Sequence, residues 1–252
     1  MVQAPQRAAL SGPALVRLLA QLADADVAGS RQSLPDRLSQ WLGWTDAIAL
    51  STALNGQPPA VATAVATAAA GARASGRDDA NLCASVRSAL TKTIAHEGAS
   101  APARRDARGA VPAAPVDENA HYAEFRQRYL SIQQAMETDI GQLRARLRVM
   151  LAAKSPGLAR LAAVDAIMER SLGARERSVL ASVPALLGAR FARLRAAEQA
   201  SLADAEASGE SAAPTPGAWL AVFRKEMQSV LLAELDVRFQ PVEGLLAALR
   251  AR

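Results

Sequence analysis

A long stripe of large apolar side chains is the feature that most constrains the fold of this chain. Nine such residues recur at steps of three or four: Tyr122, Phe125, Tyr129, Ile132, Met136, Ile140, Leu143, Leu147 and Met150. This spacing places all nine on one side of a single α-helix, which would be about 45 Å long at roughly 1.5 Å per residue. A stripe of that size has to be covered, so the sequence predicts a helix that packs in a bundle or binds a partner.

The step pattern and the composition both favour a bundle of helices. The stripe averages about 3.5 residues per step, the coiled-coil value, but two consecutive four-residue steps interrupt it and argue against a long supercoil. Alanine forms about a quarter of the 252 residues and is the strongest helix former. Runs typical of strands are nearly absent. We therefore expect an all-α protein with one long central helix and a smaller N-terminal helical region.

Two stretches without apolar periodicity divide the chain. Residues 98–116 contain Pro102, Pro112, Pro115 and Gly109, a composition typical of a flexible linker. The sequence thus predicts an N-terminal helical region at 1–97 and a C-terminal helical bundle at 117–252. A second Ser-, Pro- and Gly-rich stretch predicts a disordered loop near 203–217.

Glycine and proline also predict where individual helices end. Gly173 should close one helix, and Pro184 should kink the next or mark a fresh start at Ser182. Pro241 should break the last long helix.

The positive charge of the chain comes almost entirely from arginine. The net charge is +5 and the pI is about 10.1, which is compatible with nucleic-acid binding but also with the codon usage of a GC-rich bacterial genome. Arg144 and Arg148 share a helix face, and Arg190 and Arg193 form a second cluster. The interspersed acids favour a salt-bridged exterior, and a nucleic-acid-binding accessory protein remains the alternative. These four arginines are candidate interaction residues.

Two tryptophans around a glycine form the most distinctive local motif, in the segment SQWLGWTD. Trp41 is expected to enter the small N-terminal core, because that region has few other aromatic side chains. Trp44 could close the same core or anchor a partner, so it joins the candidate interaction surface.

The chain contains none of the usual signatures of catalysis. The only histidines are His96 and His121, and there is no cysteine pair, zinc-protease motif, phosphate-binding loop or nucleophile elbow. We therefore expect a non-enzymatic protein and assign no catalytic, cofactor-binding or metal-binding residue.

A single cysteine indicates a reducing compartment. Cys83 cannot form an internal disulfide and is expected to be a small core residue. Neither a signal peptide nor a transmembrane helix is recognisable, so the expected location is cytoplasmic.

Three segments carry a resemblance to a known family. Residues 30–50 (SRQSLPDRLSQWLGWTDAIAL), 129–148 and 239–245 resemble an uncharacterised proteobacterial domain-of-unknown-function family of Burkholderia-like and Xanthomonas-like bacteria. The resemblance implies no activity and no site residues. It does imply a gene neighbourhood of envelope proteins similar to OmpA/MotB and of long helical membrane proteins, and hence a cytoplasmic accessory of an envelope-associated assembly.

These observations favour a helical interaction or scaffold subunit. It would bind a protein partner, a second copy of itself or a membrane-anchored helical partner through helix packing. The stripe supports such a role only if it is left uncovered, and helices of the same chain that cover it would remove that support.

Overall fold

The computed structural model describes residues 13–24, 33–55, 76–99, 118–208 and 217–251. Within these ranges the chain forms eight α-helices and no strand, which confirms the all-α prediction. The helices are α1 (Ala14–Ala23), α2 (Leu34–Trp41), α3 (Trp44–Asn55), α4 (Gly76–Ala99), α5 (Glu118–Lys154), α6 (Pro156–Leu180), α7 (Val183–Ser208) and α8 (Ala218–Arg250). Most of the predicted 98–116 linker lies outside the described residues.

The long helix α5 ends at a sharp reversal of the chain. Ser155 caps α6, its side chain accepting a hydrogen bond from the backbone N–H of Leu158, and Pro156 occupies the first turn. Proline is favoured at that position because the first N–H groups of a helix have no intrahelical partner. The reversal sends α6 and then α7 back along α5, as the contacts of Arg144 with Asp165 and of Tyr122 with Pro184 show.

Two of the predicted helix ends are wrong. α6 continues through Gly173 to Leu180, and α8 continues through Pro241 to Arg250. The chain instead breaks at residues 181–182 and starts again at Val183, the alternative expected near Pro184. Proline costs a helix one hydrogen bond, but buried Phe239, Val242 and Leu245 hold α8 against the bundle on both sides of Pro241. Tertiary packing therefore outweighs the local signal.

Four long elements form the bundle around α5. α8 runs parallel to α5, because Phe223 meets Phe125 near one end and Leu249 meets Lys154 at the other. α4 and the α6–α7 pair run in the opposite direction, and α1 packs against α7 and α8. α3 packs on the outside of α6.

The core of the bundle is built on the predicted stripe. Seven of its nine residues are buried, including Phe125, Met136 and Leu147. Tyr122 is half-buried, and at the other end Leu151 is buried where Met150 was expected. Intramolecular helices therefore cover the stripe, and it can no longer support a partner-binding role.

The N-terminal helices contribute to the same core as the C-terminal ones. Leu15 and Leu22 of α1 and Cys83, Leu90 and Ile94 of α4 belong to the hydrophobic cluster that contains the stripe. The domain boundaries at 1–97 and 117–252 stay a prediction. α7 remains helical to Ser208, past the expected start of the loop at 203. Among the described helices, none has the length and hydropathy needed to cross a membrane.

Candidate interaction sites

Helix α3 presents apolar side chains on two opposite faces. Ala49, Leu50 and Ala53 are half-buried and lie on the face toward α6, three and four residues apart. Trp44 and Ile48 lie on the opposite face and are 81% and 51% exposed. None of the residues of α3 is buried. The outer face of α3 therefore carries two large, uncovered apolar side chains among polar ones.

A shallow hollow adjoins this face. It has a volume of about 380 Å³ and lies between α2 and α3, where Leu38, Leu42 and Ala47 line it together with Trp44. The side chain of Ser33 caps the start of α2 by accepting from the N–H of Asp36, and a short turn of Leu42 and Gly43 joins α2 to α3. Trp44, which the sequence left open between core and surface, thus stands exposed at the edge of a hollow.

The first arginine cluster is built into the bundle. Arg144 and Arg148 of α5 are only 12% and 18% exposed, and both pair with Asp165 and Glu169 of α6. The Arg144 Nη2–Asp165 Oδ1 distance is 2.6 Å and the Arg148 Nη1–Asp165 Oδ2 distance is 2.9 Å. These guanidinium groups join two helices and are not presented to solvent.

The second arginine cluster is engaged in the same way. Arg190 of α7 makes a bidentate pair with Glu226 of α8, at 2.9 and 2.7 Å, and these hydrogen bonds raise the pKa of Arg190. Arg193 donates to the backbone carbonyl of Leu22 and so fastens α1. All four candidate arginines therefore bind groups of their own chain, which leaves the nucleic-acid alternative without a structural argument.

A larger groove opens between α5, α6 and α8. Its volume is about 710 Å³, and its lining includes Met136, Ile140 and Gly141 of α5, Met168 and Leu172 of α6, and Val237 of α8. A Cβ atom built on Gly141 would meet nothing within 4 Å. The glycine thus widens the groove, whose lining is mainly apolar.

Trp41 lies at this groove, not in the core where it was expected. It is half-buried and lines the groove together with Arg37 and Arg175. Both guanidinium carbons lie over its ring, 5.1 Å (Arg37) and 4.9 Å (Arg175) from the centroid, within the range of cation–π attraction. No local sequence pattern predicts this cluster, because α2 and α6 are far apart in the chain.

A buried polar network lies beside the groove. Glu234 is fully buried and accepts hydrogen bonds from Tyr129 (2.6 Å), Gln133 (3.0 Å) and Arg238 (2.9 Å). Burial, and then the charge of Glu234, raises the pKa of Tyr129 far above its usual range, so the phenol keeps its proton and donates. Glu234 has no access to a substrate, and the network fixes α5 against α8.

The described residues contain no arrangement that could hold a metal ion, since no group of three or more His, Cys, Asp or Glu side chains converges. Cys83 is buried, and burial followed by the charge of Asp79 raises the pKa of its thiol. A buried thiol with a raised pKa is a poor nucleophile.

Comparison with known proteins identifies the family and nothing beyond it. Searches of the curated proteins and of the solved structures found no significant match. One family profile, described as a protein of unknown function (DUF3348), matches residues 1–251. That match confirms the resemblance to an uncharacterised family, and the chain belongs to the DUF3348 family.

Proposed function

We propose that this protein is a non-enzymatic interaction subunit that binds an amphipathic helix of a partner protein on the outer face of α3. The observation that carries the proposal is the exposure of Trp44 and Ile48, one helical turn apart, on a helix that already covers its other apolar face with α6. Exposed apolar side chains on a rigid helix are typical of helix-to-helix recognition.

The chemistry of the face supports a protein partner over a polyanion. Trp44, Thr45, Ile48, Ser51 and Thr52 carry no charge, so a nucleic acid would find no cationic side chain there to neutralise its phosphates. A large exposed tryptophan beside a hollow is instead the usual form of an interface hot spot.

The size of the face argues against a homodimer formed by α3 alone. α3 has twelve residues and is about 18 Å long at roughly 1.5 Å per residue. Two such helices crossing once would bury much less than the about 800 Å² per partner of a standard interface. A partner helix lying along α3 and filling the hollow between α2 and α3 would bury more. A cytoplasmic location at an envelope assembly stays an expectation from the resemblance.

Site-specific photo-crosslinking tests this proposal in the native cell. A benzophenone amino acid at position 48 should give one adduct with a different protein, and the same group at exposed Thr138 of α5 should not. The purified partner should bind the wild-type protein at least about tenfold more tightly than Trp44→Ala, the loss expected for a hot spot.

Light scattering at low and high salt separates the remaining outcomes. A monomer alone in solution, together with the heterologous adduct, supports the proposal. A salt-insensitive dimer that crosslinks to itself at position 48 would replace the partner with a second copy. Equal adducts at positions 48 and 138, or none at 48, would refute an interface on α3.

A further inference from the structure

The groove between α5, α6 and α8 has the size and the lining of a small-molecule site. Pockets for small ligands have volumes of about 300–1,000 Å³, mostly apolar walls and a few placed polar groups. The volume here is about 710 Å³, and Met136, Ile140, Met168 and Leu172 supply apolar walls. No residue of α3 lines this groove, so it is separate from the proposed partner surface.

The arginines of the groove wall differ in whether they form salt bridges. Arg144, Arg177 and Arg238 each bind a carboxylate of the chain: Arg144 binds Asp165, Arg177 binds Glu137, and Arg238 binds Glu176 and Glu234. Arg37 and Arg175 instead share the ring of Trp41. Among the residues that the structure describes, neither forms a salt bridge.

Two cations without a carboxylate favour an anionic ligand at that point. The two guanidinium groups lie 5.1 and 4.9 Å from the centroid of the same ring, so a single bound anion could be attracted by both positive charges. The planar guanidinium group of arginine can donate two parallel hydrogen bonds to the oxygen atoms of a carboxylate or phosphate group. The cationic pair lines a mainly apolar groove, so a matching ligand combines an anionic head with an apolar tail.

We propose that this groove binds a single-chain amphiphile with a carboxylate or phosphate head. The head binds the guanidinium groups of Arg37 and Arg175 beside Trp41, and the tail lies along Met168 and Leu172 over the α5 floor. Each methylene buried in the groove strengthens binding by about two- to fourfold, and the charged head supplies the selectivity. This site does not depend on the partner surface of α3.

Calorimetry with defined amphiphiles tests the site on the full chain. Dodecanoate and dodecyl phosphate, each below the concentration at which micelles form, separate the two head groups. We expect at least one of them to bind about tenfold or more tightly than uncharged dodecyl maltoside, because a charge-assisted hydrogen bond is lost. Octyl phosphate should bind more weakly than dodecyl phosphate, and inorganic phosphate should not bind detectably.

Matched variants connect binding to the groove. The double change Arg37→Gln/Arg175→Gln should weaken binding of the preferred amphiphile about tenfold or more, and Arg160→Gln, on an exposed position of α6 outside the groove, should not. Gly141→Leu should fill the groove and abolish binding while the far-UV circular dichroism stays helical. Gly157→Leu, where a Cβ also meets nothing within 4 Å, should keep full affinity.

Three results would overturn the proposal. One is equal affinity for the anionic and uncharged dodecyl compounds. Another is a failure of the variants to place binding in the groove, seen as unchanged binding in a folded Gly141→Leu variant or as an equal loss in Arg160→Gln. The third is binding of an acidic amphipathic peptide without binding of either anionic amphiphile, which would assign the groove to a helix.

Discussion

Helix α5 buries most of its large apolar side chains, whereas helix α3 leaves several of its own exposed. Along α5 a long periodic stripe is covered by four other helices, and Phe125 within it is only 2% exposed. On α3 apolar residues lie on both faces, one face contacts α6, and Trp44 on the other is 81% exposed. The longer and more regular pattern is buried in the bundle core, whereas the shorter and less regular one stays partly exposed.

Replacing one aromatic residue on each helix gives the sharpest contrast. Phe125 packs against Phe191 and Phe223, with ring centroids 6.0 and 5.2 Å away. Phe125→Ala should lower the free energy of unfolding by about 3–5 kcal/mol through lost burial and a new cavity. Trp44→Ala should change it by about 0.5 kcal/mol or less. Urea unfolding followed by circular dichroism measures both, and a loss above about 1 kcal/mol for Trp44→Ala would show that Trp44 stabilises the fold.

Two arginines give a second contrast, between a buried salt bridge and an exposed one. Arg238→Met would leave the buried carboxylate of Glu234 without its cation, and the expected loss is about 3 kcal/mol. Arg177→Met removes an exposed pair with Glu137 and should cost at most about 1 kcal/mol. Comparable losses for the two variants, measured by thermal and urea unfolding, would mean that the Glu234 network is not what holds α8 to α5.

The smallest expected contrast is between two glycines, one of which lies against the end of the stripe. A Cβ on Gly188 of α7 would lie 2.9 Å from Cε1 of Tyr122, whose hydroxyl also donates to the carbonyl of Pro184. Gly188→Ala should therefore destabilise the protein by about 1 kcal/mol, despite the better helix propensity of alanine. Gly244→Ala, where nothing lies within 4 Å, should instead stabilise α8 by about 0.5–1 kcal/mol. Stabilisation by both changes would show that Tyr122 can move away from α7 at little cost.

The fold was predictable where the pattern was long and repeated. Step periodicity identified α5 almost to its ends. A single glycine or proline was a less reliable sign of a helix end. Gly173 and Pro241 lie inside helices, since the packing of neighbouring buried residues exceeds the cost of one unfavourable residue.

The candidate sites were predictable only in part. Trp44 was singled out by its motif, and the structure shows it to be exposed. Arg144, Arg148, Arg190 and Arg193 were singled out by clustering, but their carboxylate and carbonyl partners lie on other helices, between 17 and 171 residues away along the chain. The Arg37–Trp41–Arg175 cluster joins α2 to α6 and has no local signature.

The sequence by itself determined the helical class, the long central helix and the family, because helix periodicity and family motifs are properties of local residue order. Only the tertiary structure decided which apolar and charged groups remain for binding. That depends on which helices pack together, and a side chain is available only after every internal partner has been assigned. The same arginine and tryptophan types therefore hold the bundle together at one position and face a groove or solvent at another.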